Sequence, residues 1–80
     1  MDIKNKVRNL ISNIIEDESV KLKDDTELLQ SEVLDSLGIA QLVAGIETEF
    51  NIELDGDDIL PENFESINSI TNLILKYIKM

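Results

Sequence analysis

The chain has 80 residues, 42% of them apolar, and a formal net charge of −10, with no cysteine and no histidine. This length is enough for one small domain, and we expect residues 1–80 to form it. Without cysteine or histidine, the polypeptide cannot build a Ser–His or Cys–His catalytic pair, a zinc site or a disulfide. Any thiol chemistry therefore needs a group from outside the polypeptide.

The acidic residues are concentrated in the middle of the chain. Residues 24–75 contain no lysine or arginine and hold 13 of the 17 acidic side chains. Such a field repels nucleic acid and anionic lipid, and it attracts proteins with basic surfaces. No apolar run approaches the ~18 residues of a membrane span, and the N-terminus does not resemble a signal peptide. We expect a cytoplasmic monomer that works with other proteins.

The first predicted helix covers residues 2–16, because apolar residues recur there at the spacing of one helix face. Residues 17–35 show no clean period and predict a long loop, in which Thr26 can begin a single helical turn. Loops of this length are unusual in compact domains and are often functional. Apolar residues that can hold the loop on the core are Val20, Leu22, Leu28, Leu29, Val33 and Leu34.

A second helix is predicted over residues 36–50, with Asp35 and Ser36 at its start. Both side chains can cap a helix, because their oxygens accept hydrogen bonds from the first free N–H groups. Gly45 in the helix interior costs about 1 kcal/mol relative to alanine, which close approach of another helix, close approach of a ligand or plain tolerance would explain. The predicted buried stripe consists of Ile39, Leu42, Val43, Ile46 and Phe50.

The rest of the chain predicts one short helix and one longer helix. The short one is predicted over residues 57–60, and because proline cannot sit deep in a helix it either ends near Leu60 or restarts at Pro61. Ser66 is a plausible cap for the last helix over residues 67–79. The sum is an all-α fold: a small four-helix bundle with three longer helices, one short helix and a long first loop.

The stretch Leu34-Asp35-Ser36-Leu37-Gly38 and the helix behind it resemble the acyl carrier protein family. The later segment from Pro61 to Ile67, followed by Ile70, is similar to that of free-standing carriers. The resemblance covers nearly the whole chain, including its length and helix order. The Asp-Ser-Leu triplet alone is a weak signal, whereas the triplet in an acid-rich chain of this length is a strong one.

The resemblance implies a non-catalytic carrier. A phosphopantetheinyl transferase would attach 4'-phosphopantetheine from coenzyme A to Ser36, and the thiol of that arm would hold cargo as a thioester. Asp35 would help to engage the transferase, and Leu37 completes the motif. Without the resemblance, Asp35 and Ser36 could both be ordinary helix caps. A helix N-terminus also favours an anion such as the phosphodiester.

In this family, partners usually dock on the second helix. Acyl or aminoacyl ligases and synthases with basic docking patches are the partners that the resemblance implies. No metal site is expected: the acids at positions 53, 55, 57 and 58 do not match a calcium-binding loop and are expected to form a solvated turn. The residues carried over as docking candidates are Ile39, Ala40, Ala44, Glu47 and Glu49.

The cargo stays open between two types. A fatty acyl or related acyl group fits the family in general. The front of the second helix is less charged than in typical fatty-acid carriers, because Gly38 stands where a polar residue, commonly Asp or Asn, is usual, and Gln41 stands where an acid is common. Residues 27–34 also resemble D-alanyl and peptidyl carriers, which adenylating ligases load. An alternative of another class is an acidic protein-binding module without a prosthetic group.

Overall fold

The computed structural model describes residues 2–15, 21–30 and 34–78. Every regular element within these ranges is helical, and no strand occurs there. None of the described helices combines the length and the apolar character that crossing a lipid bilayer requires. The predicted all-α class is confirmed.

Three α-helices and two 3-10 turns make up the fold. The second helix has the predicted bounds, and the first begins one residue later than predicted. The reason is that Asp2 is a cap: its carboxylate accepts a hydrogen bond from the Asn5 N–H at 3.1 Å. The elements in chain order are α1 (Ile3–Ile15), α2 (Ser36–Phe50), the 3-10 turns Gly56–Asp58 and Pro61–Phe64, and α3 (Ile67–Ile78).

Some predicted features lie outside the described residues. Two of them are helix ends: Glu16 is the last residue of the first predicted helix, and Lys79 is the last residue of the helix predicted over residues 67–79. The other two are the apolar loop residues Val20 and Val33.

The short helix expected over residues 57–60 is instead two 3-10 turns. The first ends at Asp58, and Leu60 is extended, with φ −116° and ψ 147°. A residue before proline is held in extended backbone by the proline ring, so the helix cannot run through this point. The second turn then begins at Pro61, where a missing N–H costs nothing.

The core is aliphatic apart from one buried aromatic ring, Phe64. It lies where α1 packs against both α2 and α3, and α3 also packs against the Pro61–Phe64 turn. Ile78, in the last turn of α3, is 39% exposed. The buried apolar residues are Val7, Ile11, Leu28, Leu34, Leu42, Ile46, Leu54, Phe64, Ile67, Ile70, Leu73 and Ile74.

The described part of the first loop is fastened to both α1 and α3. The Arg8 guanidinium donates to the Leu22 carbonyl at 3.1 Å and to the Asp24 carboxylate. The Asp24 carbonyl accepts a hydrogen bond from the Asn68 N–H at 3.0 Å, near the start of α3. The backbone here turns at residues 24–25 and 28–30, and the Thr26 hydroxyl between these turns accepts a hydrogen bond from the Lys23 N–H at 2.8 Å.

Gly45 marks a close approach between two helices. A Cβ built there would lie 3.1 Å from Cδ2 of Leu10 in α1. Glycine allows this close approach in the interior of α2, because a side chain at position 45 would force Leu10 to move.

The hydroxyl of Thr71 is a local weakness of the core. The residue is 7% exposed, and its Oγ1 has no hydrogen-bond partner among the described residues. Thr71→Val keeps the shape and removes the unpaired hydroxyl, so we expect about 1 kcal/mol of added stability. Urea unfolding measures the change, with Thr48→Val on the exposed face as the control. Unchanged or lower stability of Thr71→Val would contradict the expectation.

Candidate functional site

The start of α2 presents Ser36 to solvent. Asp35 is the cap: its backbone is extended, and its carboxylate accepts a hydrogen bond from the Gly38 N–H at 2.8 Å. The Asp35 carbonyl accepts the first helical bond, from the Ile39 N–H at 2.9 Å. Asp35 therefore closes the helix end, and the exposed Ser36 side chain is not needed for that role.

The position of Ser36 favours a bound anion. As the first residue of a 15-residue helix, it lies where backbone N–H groups have no acceptor within the helix. The helix dipole stabilises a negative charge there by roughly 0.3–1 kcal/mol. A phosphodiester on the Ser36 hydroxyl would sit in this favourable field.

Gly38 protects the geometry of the cap. A Cβ at this buried position would lie 3.2 Å from Cδ2 of Leu34 and 3.3 Å from Oδ1 of Asp35. A larger residue would therefore crowd the carboxylate that closes the helix.

An apolar groove runs beside Ser36. It is open to solvent, with a volume of about 190 Å³. Ile59 and Leu60 are 37% and 41% exposed, which is high for large apolar side chains. The groove lies between the start of α2 and the segment before α3, and its lining residues are Ser36, Ile39, Ile59, Leu60, Pro61 and Phe64.

The docking candidates do not form one surface. Ala40 and Ala44 are exposed on α2, whereas Ile39 is half-buried and faces the groove. Leu37, beside Ser36, is 66% exposed. The apolar candidates thus fall into two groups, one on the outer face of α2 and one in the groove.

The two acidic candidates on α2 already have intramolecular partners. One carboxylate oxygen of Glu47 accepts a hydrogen bond from the Leu54 N–H at 2.9 Å. Glu49 pairs with Lys6 of α1 at 3.2 Å, and the Lys6 ammonium also lies 5.8 Å from the centre of the Phe50 ring. A partner that uses Glu49 must compete with Lys6.

The acidic segment after α2 is held by a tyrosine. The Tyr77 hydroxyl accepts a hydrogen bond from the Asp55 N–H at 2.9 Å and donates one to the Asp58 carboxylate at 2.6 Å. Within the described part of the chain, no three acidic side chains converge on a point that could hold a metal ion.

Tyr77 has a raised pKa, first because its hydroxyl donates to Asp58, with burial and the charges of Asp58 and Asp55 acting in the same direction. The Asp55 N–H opposes the rise. A raised pKa means that this contribution to stability is present below about pH 10 and is lost as the pH rises through the folded-state pKa.

Tyr77 is the only tyrosine in a chain without tryptophan, so phenolate absorbance measures its titration directly. We expect the native midpoint to lie above that of free tyrosine and to fall in Asp58→Asn. A native midpoint equal to that of the urea-unfolded chain would contradict this assignment.

Sequence reasoning missed the groove wall and the tyrosine contact. The available signal was the apolar run Ile59-Leu60-Pro61 within an otherwise acidic stretch. No sequence signal indicated that Tyr77 or Glu47 would hold this segment, because those contacts join residues from different elements.

Comparison with known proteins agrees with this geometry. The family model described as "Phosphopantetheine attachment site" matches residues 5–74. An acyl carrier protein from Buchnera aphidicola subsp. Baizongia pistaciae is 31% identical over 96% of each chain. A D-alanyl carrier protein from Streptococcus suis is 28% identical over 95% of each chain. Aminoacyl carrier protein 1 from Bradyrhizobium diazoefficiens is 25% identical over 92% of this chain and 83% of its own.

The chain belongs to the phosphopantetheine-binding carrier family. It is a non-catalytic carrier, and 4'-phosphopantetheine is its prosthetic group. This assignment replaces the alternative of an acidic module without a prosthetic group.

The residues at the start of α2 fit the prosthetic group. An exposed hydroxyl lies at a helix end that favours an anion, and an apolar groove adjoins it. When bound, the group supplies the thiol that the polypeptide lacks. The chain's own residues present the hydroxyl, cap the helix and form the groove.

Proposed function

We propose that the chain is a free-standing carrier of acyl groups in fatty-acid or related biosynthesis, with 4'-phosphopantetheine attached to Ser36. The observation that carries the proposal is the exposed Ser36 at the first position of α2, beside an Asp35 that already caps the helix. We further propose that it acts as a single-domain monomer in the cytoplasm, where coenzyme A supplies the arm.

Loading of Ser36 is tested with coenzyme A, Mg²⁺ and a broad-specificity phosphopantetheinyl transferase. Intact-mass spectrometry should show one added phosphopantetheine per chain, and Ser36→Ala should abolish the addition. Ser12→Ala, an exposed serine on α1, serves as the matched control and should load normally. If the wild-type chain stays unmodified while a reference carrier is loaded under the same conditions, the proposal is wrong.

A second cargo type has specific support. D-alanyl and aminoacyl carriers are among the relatives, and the exposed face of α2 carries alanine at positions 40 and 44 and glutamine at 41. The loaded protein can therefore be offered to a D-alanine ligase and to a fatty-acid ligase, each with ATP. The mass of the product identifies the cargo. Transfer by the D-alanine ligase alone would replace the acyl proposal with the aminoacyl one.

We propose the outer face of α2 as the docking surface for the transferase and for the loading enzymes. Any protein that reaches the Ser36 oxygen must also cover Leu37, and Ala40 and Ala44 continue the same exposed apolar surface. Glu49 and the second oxygen of Glu47 would add charge contacts at the far end of the helix for a basic patch on the partner.

A further inference from the structure

The segment between α2 and α3 is held from both sides by side chains. Glu47 of α2 accepts a hydrogen bond from the Leu54 N–H. Tyr77 of α3 bonds to both ends of the following turn, accepting from the Asp55 N–H at 2.9 Å and donating to Asp58 at 2.6 Å. A single hydroxyl therefore closes residues 55–58 against α3.

This turn leads directly into the groove wall. The Ile59 N–H donates to the Gly56 carbonyl at 3.2 Å, and the Asn63 side-chain amide donates to the Asp58 carbonyl at 2.7 Å. Ile59 and Leu60 follow at once and line the groove with Ser36. The Tyr77 hydroxyl thus bonds to the turn that directly precedes two groove residues, and Tyr77 does not line the groove itself.

We propose that Tyr77 is a positioning residue for the groove at Ser36: through Asp55 and Asp58 it holds Ile59 and Leu60 where they shelter an acyl chain carried on the phosphopantetheine arm of Ser36. The occupant is the chain's own cargo, because the arm that carries the cargo is attached at Ser36, which lies in the groove lining. This inference rests on the proposed function.

The tyrosine contact acts against charge repulsion within the acidic turn. Asp55, Asp57 and Asp58 lie within four residues of one another, and their like charges favour an open segment. The Tyr77 hydroxyl offsets this repulsion by donating to one carboxylate and accepting from the backbone of another residue. Its removal leaves the Asp55 N–H and the Asp58 carboxylate without this partner.

The first test uses the chain without its prosthetic group and Tyr77→Phe, which keeps the ring. Loss of one net hydrogen bond raises the open population of the segment about fivefold. Amide hydrogen exchange at Asp58 and Ile59 should accelerate by that factor, while exchange of the Ile74 amide in α3 stays unchanged.

The control is Thr48→Val, which removes a hydroxyl bond to the Ala44 carbonyl at 3.0 Å on α2. It should leave exchange at Asp58 and Ile59 as in the wild type. Equal exchange in Tyr77→Phe and wild type would overturn the role of Tyr77. If Tyr77→Phe folds poorly, Asp58→Ala removes the same bond from its other side.

The second test measures how well the groove protects the thioester from a reagent in solution. A hexanoyl thioester is placed on the loaded wild type, Tyr77→Phe and Thr48→Val, and its cleavage by hydroxylamine is followed by mass. We expect about fivefold faster cleavage in Tyr77→Phe alone. Equal cleavage in all three, with faster exchange in Tyr77→Phe, would overturn the proposal.

The two proposals fail in different ways. If Ser36 cannot be loaded in any variant, the proposed function has failed, and hydrogen exchange in the unloaded chain still decides whether Tyr77 holds the segment. If loading succeeds and neither exchange nor cleavage responds to Tyr77→Phe, only the positioning role has failed.

Discussion

Phe64→Ala is expected to remove a large share of the stability of this protein. Phe64 is fully buried and is among the largest side chains of the core. Truncating a buried phenylalanine costs about 3–5 kcal/mol, because apolar contacts are lost and a cavity remains. The total free energy of unfolding of an 80-residue domain is only about 4–12 kcal/mol.

Urea unfolding followed by circular dichroism checks this expectation. Leu60→Ala is the matched control, since Leu60 lines the same groove but is 41% exposed, and it should cost about 1 kcal/mol or less. A loss below about 1 kcal/mol in Phe64→Ala would mean that the site collapses around the missing ring or that Phe64 is not in the core.

Arg8→Met is expected to have the second largest effect, a loss of about 1–3 kcal/mol. Its guanidinium is 31% exposed and binds the Leu22 carbonyl and the Asp24 carboxylate together. Methionine keeps much of the apolar stem but leaves both loop oxygens without this donor. Because Asp24 also accepts from Asn68, the loosened loop should weaken the start of α3 as well.

Lys4→Met is the control for Arg8→Met. Lys4 pairs with the same Asp24 at 3.5 Å but is 46% exposed, so its removal should cost at most about 0.5 kcal/mol. Arg8→Lys should fall between the two, because an ammonium cannot reproduce the paired donors of a guanidinium. Equal losses of stability in Arg8→Met and Lys4→Met would show that the charge of Arg8 stabilises the fold and that its hydrogen bond to the Leu22 carbonyl does not.

Much of the fold could be predicted because local signals were strong. The spacing of apolar residues in α1 and α2 marks one helix face, and the cap at Asp35 follows from its short carboxylate side chain. The prediction was less accurate after α2. There the sequence predicts one short helix over residues 57–60, whereas the backbone makes two 3-10 turns, Gly56–Asp58 and Pro61–Phe64.

The sequence by itself determined the all-α class, the position of α2 and Ser36 as the candidate for attachment, because helix periodicity and capping depend on residues close together in the chain. Only the tertiary structure decided which neighbours complete the site. The groove wall at Ile59 and Leu60, the pairing of Glu49 with Lys6 and the hold of Tyr77 on Asp58 join residues from separate elements. Such contacts depend on how the helices pack, and no local pattern encodes them.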